Sequence, residues 1–155
     1  MKTKILMVCL GNICRSPLAE GILKSKLNPE FFEVDSAGTG GWHAGEQPDK
    51  RSIAVAKKNG IDISGQRARQ LQLSDFDTYD YIYVMDKSNR SNVLALTTHP
   101  DHQAKVKLIL EELYPRSGME VDDPYYGGPE GFDKTFELLN QACEAIQKKL
   151  SQQYQ

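Results

Sequence analysis

The sequence lacks the features of membrane, nucleic-acid-binding and disulfide-stabilised secreted proteins. Its longest apolar run near the N-terminus is six residues, Ile5–Leu10, which is too short for a transmembrane helix or for the apolar centre of a signal peptide. A net charge of −2 provides no general attraction to nucleic acid or to an anionic membrane. The three cysteines are too few and odd in number for a disulfide framework, so we expect a cytoplasmic protein with reduced thiols.

Signals of metal and nucleotide chemistry are also scarce. The chain has three histidines and no Walker-type Gly-Lys-Ser/Thr segment. No internal repeat, linker or low-complexity segment divides its 155 residues, a length typical of one domain. We therefore expect a single domain spanning residues 1–155 and predict neither a metal nor a cofactor.

The apolar pattern alternates between short continuous runs, typical of buried strands, and stretches with helical spacing. The clearest helix is predicted between Phe132 and Leu150, where apolar residues recur at intervals of 4, 3, 4, 3 and 4. Strands are predicted at 4–8, 31–36, 79–85 and 105–110, and helices at 17–27, 49–59, 87–96 and 132–150. This order predicts an α/β fold: a four-stranded parallel sheet flanked by helices on both faces, in a Rossmann-like three-layer arrangement. Such sheets bind ligands at the carboxyl ends of their strands.

The segment Cys-Leu-Gly-Asn-Ile-Cys-Arg-Ser-Pro, residues 9–17, lies between the first predicted strand and the first helix. Cys9 and Arg15 are placed so that one loop can hold a phosphate dianion and attack it, since amides, helix start and guanidinium all point at the same oxygens. The cationic surroundings favour a reactive thiolate at Cys9. We expect Gly11 to supply a positive φ and Ser16 to cap the helix or donate to the thiolate.

A second segment has the composition of a recognition loop. Asp123 precedes a proline and two tyrosines, Tyr125 and Tyr126, among several turn residues. An Asp-Pro pair is commonly a plain turn, but adjacent aromatics on a loop suggest recognition, so Asp123 is the candidate proton donor. Trp42 follows several glycines, and this argument leaves open whether it is a wall of the site or a core residue.

These segments together resemble the low-molecular-weight protein tyrosine phosphatases. The resemblance covers nearly the whole chain and is strongest over residues 8–17, 34–39, 85–89 and 123–127. It implies hydrolysis of phosphotyrosine and aryl phosphate monoesters through a phosphocysteine on Cys9. It also implies that Arg15 binds the phosphoryl oxygens, that Asp123 acts as general acid and then as base, and that Ser16 donates to the thiolate. Members of the family typically need no metal.

The resemblance extends to the supporting residues of the site. Asn12 would hold the loop in its strained shape, with Ser36 as its partner, and Cys14 would form a reversible disulfide with Cys9 on oxidation. The implied phosphate-binding loop consists of Leu10, Gly11, Asn12, Ile13, Cys14 and Arg15. The implied substrate slot is lined by Leu10, Trp42, Tyr125 and Tyr126. Expected partners are phosphotyrosine proteins, with a bacterial tyrosine kinase as one candidate, and phosphate or other oxyanions as inhibitors. A monomer or weak dimer is expected.

Alternatives from the same fold are a protein arginine phosphatase and an arsenate reductase. Arginine phosphatases carry Thr at the position of Ile13, and the reductase relay needs further cysteines, whereas only Cys143 remains here, on the apolar face of the last helix. A phosphate-sensing module without turnover is disfavoured by the presence of Asp123. One departure from many relatives is the absence of a His near residues 63–70, where Gln66 is predicted to donate in its place, with a less rigid loop as the expected consequence.

Overall fold

A computed structural model describes residues 2–152 of the chain. The strands are β1 (Thr3–Cys9), β2 (Phe32–Gly38), β3 (Tyr81–Val84) and β4 (Val106–Leu108). The helices are α1 (Arg15–Lys26), α2 (Lys50–Lys58), α3 (Asp75–Thr78), α4 (Lys87–Leu94), α5 (Pro100–Gln103) and α6 (Pro129–Ser151), and a 3-10 turn covers Ile109–Glu112. Among the described helices, none is long and apolar enough to cross a membrane.

The four strands form one parallel sheet, as predicted, and their order is β2-β1-β3-β4. The first strand is central, and Cys9, its last residue, pairs with Gly38 of β2 while Val8 pairs with Val84 of β3. The order of the strands reverses beside β1, so its carboxyl end opens onto the crevice where parallel sheets bind ligands. The fold therefore places Cys9 at the predicted position.

Helices cover both faces of the sheet, which confirms the three-layer prediction. Because successive side chains of a strand point to opposite faces, Ile5 and Met7 join the core beneath α1, α2 and α6, whereas Leu6 and Val8 join the core on the other face. This second core includes Phe76 of α3 and Val93 of α4. Burial on both faces explains why β1 is a continuous apolar run rather than an alternating one.

Several boundaries differ from the predictions. The last helix begins at Pro129, where a proline costs no hydrogen bond, instead of at residue 132. Both β3 and β4 are shorter than predicted. The fourth strand ends early because the chain turns into the 3-10 segment at Ile109, although Ile109 and Leu110 are fully buried. Apolar alternation does not distinguish a buried turn from a strand. The helices α3 and α5 have four residues each and are too short for a periodic pattern.

Candidate active site

The loop between β1 and α1 places the candidate nucleophile and its cation inside the protein. Cys9 is 3% exposed and Arg15, the first residue of α1, is 2% exposed. The prediction of a positive φ at Gly11 is wrong: Asn12 adopts it, with φ of 59°. Asn tolerates this region because its short polar side chain bonds locally. Gly11 instead lies against a ring, since a Cβ there would lie 3.1 Å from Cδ2 of His43.

Three hydrogen bonds hold Asn12 in its left-handed conformation. Its amide nitrogen donates to the hydroxyl of Ser16 at 2.8 Å and to that of Ser36 at 2.9 Å. Its carbonyl oxygen accepts from the backbone N–H of Arg69 at 3.0 Å. Ser36 therefore contacts Asn12 as expected. Since Asn12 is 2% exposed, these bonds have little competition from water.

The hydrogen bonds of this network run outward from Asn12 in two directions. The Asn12 amide donates to Ser36, whose hydroxyl donates to a carboxylate oxygen of Glu20 at 2.7 Å, and Glu20 also accepts from Lys24 at 2.8 Å. The Asn12 amide also donates to Ser16, and this branch leads to the sulfur of Cys9. The Ser16 Oγ lies 3.0 Å from the Cys9 Sγ, so its own proton is free to point at the sulfur, and a thiolate there can only accept it. Ser16 lies inside α1, and the prediction that it caps the helix is wrong because Cys14 occupies that position.

Arg15 is oriented from behind by the carboxylate that follows β3. Its Nη1 donates to Oδ2 of Asp86 at 2.7 Å and to the carbonyl oxygen of Val121 at 2.8 Å. Its Nη2 lies 3.6 Å from Oδ2 of Asp123, and its buried Nε has no hydrogen-bond partner among residues 2–152. Burial lowers the pKa of Arg15, but the negative charges of Cys9, Asp86 and Asp123 outweigh it, and the pKa is raised. The side chain stays cationic.

Asp123 lies on the loop before α6 and reaches the same site from more than a hundred residues away. One of its carboxylate oxygens accepts from the backbone N–H of Tyr125 at 3.1 Å, and the other faces Arg15. The Asp-Pro pair therefore forms a turn and also places the Asp123 carboxylate in the slot beside Arg15. With 38% of its side chain exposed, Asp123 can meet both a bound ester and water.

The residues form the base and walls of one slot of about 250 Å³. Cys9, Arg15 and Asp123 line it together with Leu10, Gly11, Ile13, Cys14, Trp42, His43, Tyr125 and Tyr126. Trp42 is 72% exposed, so it is a wall and not a core residue. Its ring covers Gly40, where a Cβ would lie 1.9 Å from the indole, and only glycine permits this approach. Tyr125 and Tyr126 meet edge to face, with ring centroids 5.0 Å apart. The site can bind a flat aryl group above a captured anion.

Comparison with known proteins agrees with this geometry. A family model described as low molecular weight phosphotyrosine protein phosphatase matches residues 4–155. The chain belongs to this family. The Schizosaccharomyces pombe protein of that name is 46% identical over 134 residues, which cover 83% of this chain and 85% of the relative. A human protein of the same name is 37% identical over 150 residues, 94% of each chain.

Solved structures show the same fold. A protein tyrosine phosphatase from Entamoeba histolytica, with Hepes in its active site, has a TM-score of 0.91 and 36% identity, covering 99% of this chain and 100% of its own. Vibrio vulnificus Wzb, solved in complex with benzylphosphonate, has a TM-score of 0.86 and 32% identity, covering 96% and 99%.

Three residues that orient the site of this phosphatase chain escaped sequence reasoning: Asp86, Glu20 and Arg51. Asp86, to which the sequence assigned no role, holds Arg15 and also caps α4 by accepting from the N–H of Asn89 at 2.7 Å. An acid directly after a predicted parallel strand was the available signal, because that end of the sheet holds the ligand. Glu20 carried no such signal, since it lies in a helix of mixed composition.

Arg51 of α2 joins the phosphate loop to the loop that carries Asp123. Its Nε and Nη2 each bind the carboxylate of Asp49 at 3.0 Å, and the Asp49 N–H donates to the Ile13 carbonyl at 2.8 Å. In the other direction, Nη1 donates to the carbonyl of Gly127 at 3.2 Å, and the guanidinium lies 5.5 Å from the centroid of the Tyr125 ring. Sequence reasoning missed this connection because its members are far apart in the chain.

Gln66 does not take the predicted place beside Asn12. Its amide nitrogen donates instead to the carbonyl of Pro17 at 3.1 Å, in the first turn of α1. Asn12 is supported by two serines and a backbone N–H, so the side chain that reaches the loop from this direction is Ser36, anchored on Glu20.

The second thiol of the loop has a different environment from the first. Burial, to which the negative charges of Asp49 and Asp123 add, raises the pKa of Cys14 to about 12. Cys9 and Cys14 are both free thiols in this structure. Residues 2–152 contain no group of three or more His, Cys, Asp or Glu side chains arranged to hold a metal ion.

Proposed function

We propose that this protein is a protein tyrosine phosphatase that hydrolyses phosphotyrosine in proteins through a phosphocysteine on Cys9. The observation that carries the proposal is that Cys9, Arg15 and Asp123 meet at the base of one slot whose walls are Leu10, Trp42 and two tyrosines. A nucleophile, a cation and an acid at the foot of an aromatic slot suit a phosphorylated phenol.

Binding of the phosphate uses fixed positive groups. The loop amides and the start of α1 supply donors and a positive dipole end, and Arg15 supplies a guanidinium already oriented by Asp86. Because these groups need not reorganise, they stabilise the additional charge separation of the transition state. The aromatic ring of the substrate lies between Trp42 and Tyr125.

Two chemical steps follow. In the first, the Cys9 thiolate attacks phosphorus, the P–O bond to the phenol breaks, and Asp123 donates a proton to the departing oxygen. In the second, Asp123 takes a proton from water, which attacks the phosphocysteine and releases phosphate. The sulfur leaves as a thiolate, and Ser16, 3.0 Å away, stabilises it by donating a hydrogen bond.

Regulation and partners complete the proposal. The family resemblance implies that a two-electron oxidant joins Cys9 and Cys14, both free thiols here, in a disulfide with loss of the two thiol protons, and that a thiol reductant restores activity. The substrates are phosphotyrosine proteins, including a tyrosine kinase in bacteria, and oxyanions compete for the loop, in line with the benzylphosphonate complex of Vibrio vulnificus Wzb. We further propose a cytoplasmic single domain over residues 1–155 that is a monomer or weak dimer.

The test is turnover of a phosphotyrosine peptide with a chelator present and no added metal. We expect competitive inhibition by vanadate, no turnover by Cys9→Ser, and retained oxyanion binding in that variant. Asp123→Asn should slow hydrolysis by about 10²- to 10⁴-fold, and more for phenyl than for p-nitrophenyl phosphate, since a poor leaving group needs the proton more. Equal losses for both esters would refute the role of Asp123. Faster turnover of a phosphoarginine peptide would favour the arginine phosphatase alternative.

A further inference from the structure

A second depression adjoins the slot and shares Trp42 with it. It has a volume of about 460 Å³ and is lined by Leu10, Trp42, Gln70, Asn92, Leu96 and the chain at 39–41. We call it the Leu96 groove. Neither the chemistry of the phosphocysteine nor the capture of phosphate requires Gln70, Asn92 or Leu96, so the groove is free for another part of the substrate.

The Leu96 groove has three exposed apolar side chains and no charged one, whereas the slot beside it contains Arg15 and Asp123. Leu10, Trp42 and Leu96 are 41%, 72% and 47% exposed, and none of the residues that line the groove is ionised. Exposed apolar side chains that are grouped around a concave surface mark binding sites more often than scattered ones do. The amides of Gln70 and Asn92 at the edge suit the polar backbone of an extended peptide.

The shape of the groove is built into the loop after β2. The indole of Trp42 lies directly on Gly40, and a Cβ on Gly41 would lie 2.9 Å from the side-chain oxygen of Gln70. Gln70 in turn donates to the carbonyl of Thr39 at 3.3 Å. The close approach of the indole to Gly40 fixes the place of Trp42, which lines both the slot and the groove.

The groove is continuous with the slot, because Leu10 and Trp42 line both. We propose that the Leu96 groove binds an apolar side chain of the substrate polypeptide close to the phosphotyrosine. An extended chain advances about 3.3 Å per residue, and since the groove adjoins the slot we place the apolar residue within three positions of the phosphotyrosine. This inference rests on the proposed phosphatase function and adds a preference among its substrates: apolar neighbours over acidic ones.

Phosphotyrosine peptides with leucine, alanine or aspartate at each of three positions on either side of the phosphotyrosine test this proposal. The wild type should hydrolyse the leucine peptide with a kcat/KM about 5- to 10-fold above the aspartate peptide at one position, at the low end of what an apolar pocket discriminates. Leu96→Gln should remove that preference and leave kcat/KM for p-nitrophenyl phosphate unchanged. Leu73→Gln is the matched control, since Leu73 is 57% exposed and does not line the groove.

The outcomes separate this inference from the proposed function. No turnover of any phosphotyrosine ester by the wild type would overturn the function itself. Full activity on p-nitrophenyl phosphate with no preference among the peptides would overturn the groove alone. So would a preference that survives Leu96→Gln, or an equal loss on peptides and on p-nitrophenyl phosphate. Both leucines are partly exposed, so neither substitution should alter folding, which thermal melting checks.

Discussion

Replacing Ser16 by alanine tests the directed hydrogen-bond network. Ser16 Oγ receives a hydrogen bond from Asn12 at 2.8 Å and lies 3.0 Å from the sulfur of Cys9. The substitution removes the donor to the thiolate and leaves one N–H of the buried Asn12 without its acceptor. A hydrogen bond to a charged group contributes about 1.5–3 kcal/mol, so the sulfur should become a worse leaving group by roughly 10- to 150-fold.

The loss should appear mainly in breakdown of the phosphocysteine, where sulfur departs. With p-nitrophenyl phosphate, whose phenolate leaves easily, stopped-flow measurements of Ser16→Ala should show a burst of about one equivalent of p-nitrophenolate followed by slow turnover. Ser52→Ala is the matched control. Ser52 is equally buried and donates to the carbonyl of Cys14 at 3.3 Å, but it makes no hydrogen bond to the sulfur of Cys9. A kcat for Ser16→Ala within twofold of wild type, or equal to that of Ser52→Ala, would refute the reasoning.

Two further perturbations test the surroundings of the loop. Arg51→Met removes the link between Asp49 and the Asp123 loop, so kcat for phenyl phosphate should fall several-fold while the inhibition constant of inorganic phosphate stays unchanged. Lys58→Met, on the same helix, is the control. A loss of phosphate binding in Arg51→Met would contradict this role. Burial raises the pKa of Cys14 from 9.0 to about 12, so the unfolded chain releases the thiol proton at a lower pH than the folded protein does. The free energy of unfolding should therefore fall above pH 9, by about 1.4 kcal/mol per pH unit for this thiol. Thermal melts of Cys14→Ser should lose that part of the alkaline destabilisation, and an identical pH dependence in both proteins would count against it.

The fold was predictable because its central strand is unambiguous. Ile5 to Val8 are apolar and buried on both faces, a pattern that favours the middle of a parallel sheet, and the long C-terminal helix has a clean apolar stripe. The 3-10 turn at Ile109–Glu112 was not predictable in the same way, since its first two residues are as apolar as a strand. What decides it is the packing above the sheet, which local sequence does not record.

In the site, too, residues marked by local sequence were predictable, and conformations set by tertiary contacts were not. Cys9, Arg15, Asp123 and the aromatic walls were named from local composition and resemblance, and the structure brings them to one slot. Asn12 instead of Gly11 at the positive φ was not apparent, because the conformation depends on hydrogen bonds with two distant parts of the chain, at Ser36 and Arg69.

The residues that sequence reasoning missed have one property in common: each orients a predicted residue from a different element. Asp86, which follows the carboxyl end of β3, orients Arg15, and Glu20 of α1 orients Ser36. Arg51 joins both loops through contacts on each side. Such residues carry no chemistry of their own, and apart from the place of Asp86 directly after a parallel strand, nothing in the local sequence marks them. The consequence for the slot is rigidity: a guanidinium that is already held by Asp86 and an Asn12 that already has its partners can meet the phosphate without reorganising, which is the condition under which fixed charges stabilise a transition state.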